Sequence, residues 1–163
     1  MWYNSYGDNV KDIVNKLIKL NKSISTMESC TGGCIANAIT NIEGSSEVFK
    51  FGAVTYSNQY KIKMGVNSDN IDKYTVYSIE VANDMSKTIS NYTDSNYGIG
   101  ITGKLNRFDV NNPYGKDNIV YISIYDRDND KYYEYSIEVL EDSRDKNKNK
   151  VLELVIDKLN SII

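Results

Sequence analysis

The spacing of apolar side chains divides the chain into alternating helices and strands. Apolar residues recur at helical intervals in some segments, while others are short runs of β-favouring residues. The predicted helices cover residues 9–20, 32–41, 57–64, 79–89 and 143–162. The predicted strands cover residues 23–28, 52–56, 97–103, 119–125 and 132–139, with the last two forming a hairpin. This order predicts an α/β fold, a three-layer α/β/α sandwich with a mixed β-sheet.

Polar residues and glycines predict where the helices begin and end. Asp8 or Asn9 is expected to cap the first helix, and Ser57 or Asn58 the third. Gly65 is expected to end that third helix, because glycine adopts the left-handed conformation that terminates helices. The segment 104–117 is polar and has no periodicity, so it is predicted to be irregular.

Length and composition indicate one soluble globular domain spanning residues 1–163. Hydrophobic residues make up 40% of the sequence and charged residues 25%, the balance typical of such domains. The net charge of −3 gives no general attraction to nucleic acid or to an anionic membrane. No apolar run approaches the roughly 20 residues that a membrane span needs. Residues 1–5 lack the features of a signal peptide, so a cytoplasmic location is expected.

The sequence contains two cysteines and no histidine. Cys30 and Cys34 are too few for a disulfide scaffold, and no histidine is present to complete a zinc site. Small buried residues are therefore the favoured interpretation of both, and no metal or organic cofactor is expected. The absence of histidine also excludes every Ser-His and Cys-His mechanism. Any catalytic base must be Lys, Tyr, Asp or Glu.

The most informative stretch joins the strand at 24–27 to the helix beginning near residue 34. Small polar residues and two glycines fill the connection. A strand, a tight turn and a helix N-terminus direct several backbone N–H groups at one point, which suits an anion or a developing oxyanion. Ser29 would lie at the entrance of this anion-binding turn. The alternative is an ordinary turn in which Thr31 caps the helix.

A cluster of cations opens the last predicted helix: Arg144, Lys146, Lys148 and Lys150. Cations are disfavoured at a helix N-terminus because the helix dipole is positive there. One interpretation is a solvated helix face with a frayed start. The other is that one of these side chains, above all Arg144, points at an anionic ligand.

Several sequence blocks resemble the CinA C-terminal domain family, the competence/damage-inducible proteins. The first is ESCTGG at residues 28–33. Further blocks follow in family order and at family spacing: GSS at 44–46 ahead of Phe49, GAVTYSN at 52–58 followed by Lys61, GV at 65–66, VYSIEVA at 76–82 and TG at 102–103. The resemblance spans nearly the whole chain.

The resemblance implies a serine amidohydrolase, because the family includes the nicotinamide mononucleotide (NMN) deamidases. These enzymes convert NMN to nicotinate mononucleotide and ammonia, so the expected partner is a small pyridine nucleotide. Family members commonly self-associate, which implies a homo-oligomer. The implied site consists of the nucleophile Ser29, its partners Tyr56 and Lys61, the oxyanion-hole amides of Cys30, Thr31, Gly32 and Gly33, and the substrate-binding residues Thr102, Gly103 and Arg144.

The chemistry of these residue types agrees with the implied roles, although each has a plainer alternative. Lysine can serve as the base for a serine if burial or neighbours lower its pKa. Lys61 could instead be a solvated helix residue, and Tyr56 a packing residue at a strand end. Glu28 is expected to bind either backbone amides or Lys61.

The loop after Gly103 departs from the family pattern. The family typically has a Gly/Pro-rich loop there, whereas this chain has KLNRFDVNNPYG at residues 104–115. Side chains in place of glycines crowd the approach of backbone to a ligand. The loop either binds substrate differently, with Lys104 or Arg107 supplying charge, or substrate binding is lost. The alternatives to NMN hydrolysis are therefore a catalytically silent nucleotide-binding module and an amidase for another small substrate.

Overall fold

The computed structural model describes residues 6–163, which form six α-helices and five β-strands. The helices are α1 (Tyr6–Leu20), α2 (Cys34–Thr40), α3 (Asn58–Met64), α4 (Ser68–Tyr74), α5 (Ile79–Thr93) and α6 (Arg144–Ile162). The strands are β1 (Ile24–Glu28), β2 (Gly52–Val54), β3 (Tyr97–Gly103), β4 (Ile119–Asp126) and β5 (Lys131–Glu138). A short 3₁₀ helix, Ser45–Glu47, lies between α2 and β2.

The strands form one mixed sheet in the order β2-β1-β3-β4-β5. β1 is parallel to both β2 and β3, whereas β4 and β5 join the sheet antiparallel as a hairpin. The carboxyl ends of β1, β2 and β3 therefore meet at one edge of the sheet. The predicted mixed sheet is confirmed.

One face of the sheet is covered by α1, α2 and α6. Ile99, Ile101, Ile122 and Ile124 alternate along β3 and β4 and pack against apolar residues of these helices. Each fully buried side chain of this size contributes about 1.5–3 kcal/mol relative to an exposed one. This is the larger of the two apolar clusters in the described part of the chain.

Helix α5 covers the other face and lies unusually close to the sheet. The β3 residues that point towards it are glycines: a Cβ at Gly98 would lie 2.1 Å from the Ser86 carbonyl oxygen, and one at Gly100 would lie 2.2 Å from that of Ala82. Small residues on this face thus set the distance between the sheet and α5. The two helical layers and the sheet complete the predicted three-layer sandwich.

Several predicted boundaries are wrong for identifiable reasons. Helix α1 already includes Asp8 and Asn9, so neither residue caps it. Helix α2 begins at Cys34 rather than at residue 32, because Gly32 and Gly33 have φ values of +63° and +94°, which are not helical. Cys30 consequently precedes the helix.

Two further differences concern residues 54–74. Strand β2 ends at Val54 instead of residue 56. The Thr55 N–H still donates to the Glu28 carbonyl of β1, but the Thr55 carbonyl accepts a hydrogen bond from a lysine side chain. Helix α4 was not predicted from the apolar pattern, because none of its seven residues is buried. In contrast, Ser57 caps α3 and Gly65 ends it as predicted. Among residues 6–163, no helix is both long and apolar enough to cross a membrane.

The close approach of α5 to β3 leads to a stability prediction. Gly100→Ala is expected to lower the free energy of unfolding by about 1–3 kcal/mol, because the new methyl group meets helix backbone that cannot move away cheaply. Urea denaturation followed by circular dichroism measures the change. Gly7→Ala is the matched control, since no atom lies within 4 Å of its added Cβ. An unchanged denaturation midpoint for Gly100→Ala would contradict the packing described here.

Candidate active site

A cleft of about 610 Å³ opens at the carboxyl ends of the three parallel strands. Ser29 follows β1, Tyr56 follows β2 and Gly103 ends β3, and all three residues line the cleft. Loops at this edge of an α/β sheet are the usual position for ligand sites. The sheet topology therefore brings together residues that are far apart in the sequence.

Lys61 and Ser29 form the centre of this cleft. Lys61 Nζ is hydrogen-bonded to Ser29 Oγ at 3.0 Å and donates to the Thr55 carbonyl oxygen at 2.7 Å. Both side chains are buried, and Lys61 is only 2% exposed. The alternative of a solvated helix lysine is excluded. Ser29 thus has a basic side chain within proton-transfer distance, although the sequence contains no histidine.

Burial changes the proton affinity of this amine. It lowers the pKa of Lys61 from 10.5 to about 8, because the charged form loses its hydration. Nearly a tenth of the molecules therefore carry a neutral amine at pH 7. Helix α3 makes the burial possible: Ser57 caps the helix by accepting from the Tyr60 N–H, and Lys61 is the buried residue of its last turn.

Glu28 organises the turn that follows β1. Its carboxylate accepts hydrogen bonds from the Thr31 hydroxyl at 2.6 Å and from the backbone N–H groups of Ile35 and Ala36 at 3.1 and 3.0 Å. A carboxylate at a helix N-terminus also interacts favourably with the helix dipole. Of the two expected partners of Glu28, the structure has the backbone amides and not Lys61.

This arrangement excludes the alternative interpretation in which Thr31 caps α2. The N-cap position is Gly33, which makes no side-chain hydrogen bond, and the Thr31 hydroxyl donates to Glu28 instead. Glu28 therefore performs the capping from the end of the adjacent strand. The expected contact of Glu28 with backbone amides is present, but which amides it binds depends on how the whole turn folds.

The predicted oxyanion-hole amides are not equivalent. The Gly32 N–H donates to the Ser29 carbonyl at 3.0 Å, so it is committed to the turn. Within residues 6–163, the N–H groups of Cys30, Thr31 and Gly33 have no hydrogen-bond acceptor. Of these four residues only Cys30 lines the cleft. The Cys30 amide is thus the best placed donor for an oxyanion on a group bonded to Ser29.

The neighbouring thiol is unsuited to act as a nucleophile. Cys30 is buried, and burial raises the pKa of its thiol to about 12. Only the thiolate is a strong nucleophile, so Cys30 is uncharged and inert at neutral pH. Cys34 is half-buried, and both cysteines are free.

Tyr56 and Arg144 form the outer rim of the cleft. Arg144 donates through Nη2 to the Tyr56 hydroxyl at 3.2 Å, and both side chains are exposed. Tyr56 makes no hydrogen bond to Ser29 or Lys61 in this structure. The interpretation that Arg144 points towards a ligand site, instead of lying on a solvated helix face, agrees with its position at the cleft.

The two residues at the end of β3 differ in position. Gly103 lines the cleft, but Thr102 does not. Thr102 is fully buried, and its hydroxyl donates to the Val76 carbonyl at 2.9 Å. The structure therefore places Thr102 as a residue that holds the segment before α5, and it does not bring Thr102 to the substrate.

The loop that departs from the family pattern forms one wall of the cleft. Asp109 anchors it: the carboxylate accepts from the Tyr77 hydroxyl, from the Asn112 side chain and from the Asn111 N–H. The Tyr77 hydroxyl holds the pKa of Asp109 below its usual value. Asn58 on α3 donates to Asn112 at 3.1 Å. The loop is thus attached both to α3 and to the segment before α5.

Tyr77, Asp109, Asn58 and Asn112 belong to the site but are not among the predicted site residues. Asn58 and Tyr77 lie in the GAVTYSN and VYSIEVA blocks that carry the family resemblance, and this was the signal available for them. Asp109 and Asn112 lie in the divergent loop, where no sequence signal marks them. Lys104, by contrast, was considered as a source of charge and does line the cleft.

Comparison with known proteins agrees with this arrangement. Residues 8–163 match the family described as the CinA C-terminal domain. The chain belongs to this family. The match includes every residue of the candidate site.

Curated relatives named competence-damage inducible protein cover parts of the chain. The relative from Clostridium botulinum strain Langeland is 46% identical over 92 residues, which are 56% of this chain and 22% of that protein. The relative from Clostridium kluyveri is 40% identical over 129 residues, 76% of this chain and 31% of that protein. The chain therefore spans less than a third of the length of either relative.

Solved structures of CinA proteins share the fold along nearly the whole chain. The competence/damage-inducible protein of Agrobacterium tumefaciens superposes with a TM-score of 0.87 at 25% identity, covering 99% of this chain and 97% of that one. The CinA superfamily protein of Escherichia coli gives 0.86 at 22% identity, covering 98% and 91%. Because the Escherichia coli protein is only 22% identical to this chain, that match is evidence for the fold alone.

The buried amine leads to a prediction about stability. Lys61→Met is expected to raise the free energy of unfolding at about pH 6, on the order of 3 kcal/mol, because the wild type must bury a charge there. The folded pKa of about 8 lies below the ordinary value of 10.5, so the unfolded chain binds the extra proton between these values. Wild-type stability relative to Lys61→Met should therefore rise with pH from about 8 to 10.5.

Urea denaturation of both proteins across this range measures the difference. Lys63→Met is the control, since Lys63 is an exposed residue of the same helix. A difference between wild type and Lys61→Met that does not change with pH would contradict the lowered pKa.

Proposed function

We propose that this chain is a nicotinamide-nucleotide amidohydrolase that converts NMN to nicotinate mononucleotide and ammonia. The observation that carries the proposal is the 3.0 Å hydrogen bond between Lys61 Nζ and Ser29 Oγ in a buried position at the cleft. A serine with a lysine base is sufficient for acyl transfer without histidine or metal. Membership of the CinA family supports the choice of an amidohydrolase.

In the first step, neutral Lys61 accepts the proton of Ser29 while Oγ attacks the carboxamide carbon. The Thr55 carbonyl receives an N–H of the same amine at 2.7 Å, which directs the nitrogen lone pair towards Ser29. The carbonyl oxygen of the substrate becomes an oxyanion. The Cys30 N–H is the donor available to stabilise it.

In the second step, the protonated Lys61 returns its proton to the leaving nitrogen. Ammonia departs when the C–N bond breaks, and an ester between Ser29 and the nicotinoyl group remains. Lys61 then takes a proton from water as the water oxygen attacks the acyl carbon. The bond between that carbon and Ser29 Oγ breaks, Lys61 gives its proton back to Oγ, and the carboxylate is released. Each step uses the same two side chains, so both are required for turnover.

The charges around the cleft favour an anionic substrate. Lys61, Lys104, Arg107 and Arg144 line it, against the single carboxylate of Asp109. The protein as a whole carries a net charge of −3, so this positive region is local. A field of this sign attracts a nucleotide phosphate more strongly than an uncharged amide.

The loop after Gly103 supports a second candidate, an amidase for another small carboxamide. Side chains of Lys104, Phe108 and Asp109 occupy the wall where glycines are typical of the family. This wall would change which substrate fits, without altering the pair formed by Ser29 and Lys61. A catalytically silent nucleotide-binding module is the third candidate, and it predicts binding without product.

Ammonia release from NMN tests the proposed reaction. Wild-type protein should release ammonia, Ser29→Ala should lower kcat by about 10³-fold or more, and Lys61→Ala should have a similar effect because the two residues act as a unit. Cys34→Ser is the control, since this thiol does not line the cleft and its loss should leave the rate unchanged. Wild-type activity equal to that of Ser29→Ala would contradict the proposal.

The same assay, together with a binding measurement, distinguishes the second and third candidate functions. An inactive wild type whose melting temperature rises with NMN would be a binding module. Turnover of other carboxamides, inhibited competitively by NMN, would indicate an amidase with different specificity.

The pH dependence of the reaction is a further prediction. Because the base must be neutral and its pKa is about 8, kcat/KM should rise about tenfold per pH unit below that value and level off above it. Initial rates in buffers of constant ionic strength give the profile. A rate that falls as pH increases from about 6 to 8 would exclude Lys61 as the base.

A further inference from the structure

We propose that Lys104 binds the anionic group of the substrate and so determines the specificity of this cleft. The inference rests on the proposed function, because it names how the cleft recognises its substrate. Lys104 lies in the loop that departs from the family pattern, directly after Gly103. It lines the same cleft as Ser29.

The side chain of Lys104 is almost completely buried. The residue is 3% exposed and its side chain only 1%. A buried ammonium group is costly unless its charge and its N–H donors are compensated. A lysine in a solvated loop would not be buried to this extent, so the ammonium group of Lys104 requires partners that compensate its charge and its donors.

The partners that the structure provides are incomplete. The ammonium group has three N–H donors, and within residues 6–163 its hydrogen-bond acceptor is Asp117 Oδ1 at 3.2 Å. Two aromatic rings supply weaker compensation: the centroids of Tyr77 and Phe108 lie 5.1 and 5.8 Å from Nζ. Both rings line the cleft. The remaining donors have no acceptor within residues 6–163, and an anion in the cleft is the partner that we infer for them.

The partner Asp117 is suited to be displaced. Its side chain is 46% exposed, in contrast to the buried amine. An oxyanion entering the cleft can take over the ammonium group while Asp117 turns towards water. The ion pair orients Lys104 in the free protein, and the ligand replaces a partly solvated carboxylate.

The position of the other charges makes Lys104 the best placed cation for this role. Lys61 is engaged with Ser29 and Thr55, and exposed Arg144 donates to Tyr56 at the rim. Arg107 also lines the cleft, but it is exposed, in contrast to Lys104. Asp109, the carboxylate of the cleft, is occupied by Tyr77, Asn111 and Asn112 and does not pair with Lys104. A buried, desolvated charge interacts more strongly with an anion than an exposed one.

The ligand chemistry is an oxyanion, either a phosphate monoester or a carboxylate. Binding of two probes that the enzyme cannot hydrolyse, ribose 5-phosphate and nicotinate, distinguishes these sources. Isothermal titration at low ionic strength measures the affinity of the wild type and of Lys104→Met. Met retains the length and apolar contacts of the lysine stem, so the aromatic contacts are preserved. Lys104→Met should weaken binding of the recognised probe by about tenfold or more.

Two further variants complete the design. Lys116→Met removes the same charge from an exposed position of the same loop that does not line the cleft, and it should change the affinity less than about twofold. Asp117→Asn removes the competing carboxylate and should tighten binding by about threefold or more. This variant decides the question if Lys104→Met fails to fold, because its predicted effect has the opposite sign.

The results that overturn the proposal are specific. Lys104 is excluded as the anion-binding residue if Lys104→Met binds the probe as tightly as the wild type. It is also excluded if Asp117→Asn binds the probe more weakly than the wild type, or if the wild type binds neither probe at about 10 mM. Failure of the proposed function is separate, since it appears as absence of ammonia release from NMN. If NMN is turned over, Lys104→Met should raise KM for NMN about tenfold with little change in kcat.

Discussion

The amine of Lys61 is held between Ser29 Oγ and the Thr55 carbonyl with almost no contact with solvent. This contact requires the ends of β1 and β2 to lie side by side and α3 to start directly after them. Burial of this amine lowers the stability of the fold and also lowers the pKa of the amine to about 8. An amine with such a pKa is neutral more often at pH 7, which is the state that the proposed base requires. The same physical constraint thus links the fold to the chemistry proposed for it.

Two anionic side chains hold the elements around this centre. Glu28 joins the end of β1 to the start of α2 through the amides of Ile35 and Ala36. Asp109 ties the loop after β3 to Tyr77 and Asn112. Neither carboxylate forms an ion pair with a cation of the cleft. Of the two, only Asp109 lines the cleft, where Lys61, Lys104, Arg107 and Arg144 outnumber it.

The loop after Gly103 shows how a family fold can carry a different substrate wall. Where the family typically has glycines, this chain has Lys104, whose charge is buried beside two rings. A backbone-lined wall recognises a ligand through N–H groups, whereas this wall offers an ammonium group. Ser29 and Lys61 remain hydrogen-bonded to each other, so for the function proposed here such a change would affect substrate recognition before it affects the reaction.

Local pattern was sufficient to predict the strands, most helices and the mixed three-layer sandwich, because alternation of apolar residues reflects which face is buried. The family resemblance, rather than the local pattern, grouped Ser29, Lys61 and Arg144 in one predicted site. The absence of histidine excluded a Ser-His or Cys-His mechanism. Tertiary structure alone decided that Thr102 turns away from the cleft, that Glu28 replaces Thr31 in capping α2, and that Lys104 is buried. These outcomes depend on contacts between distant segments, which local spacing does not encode.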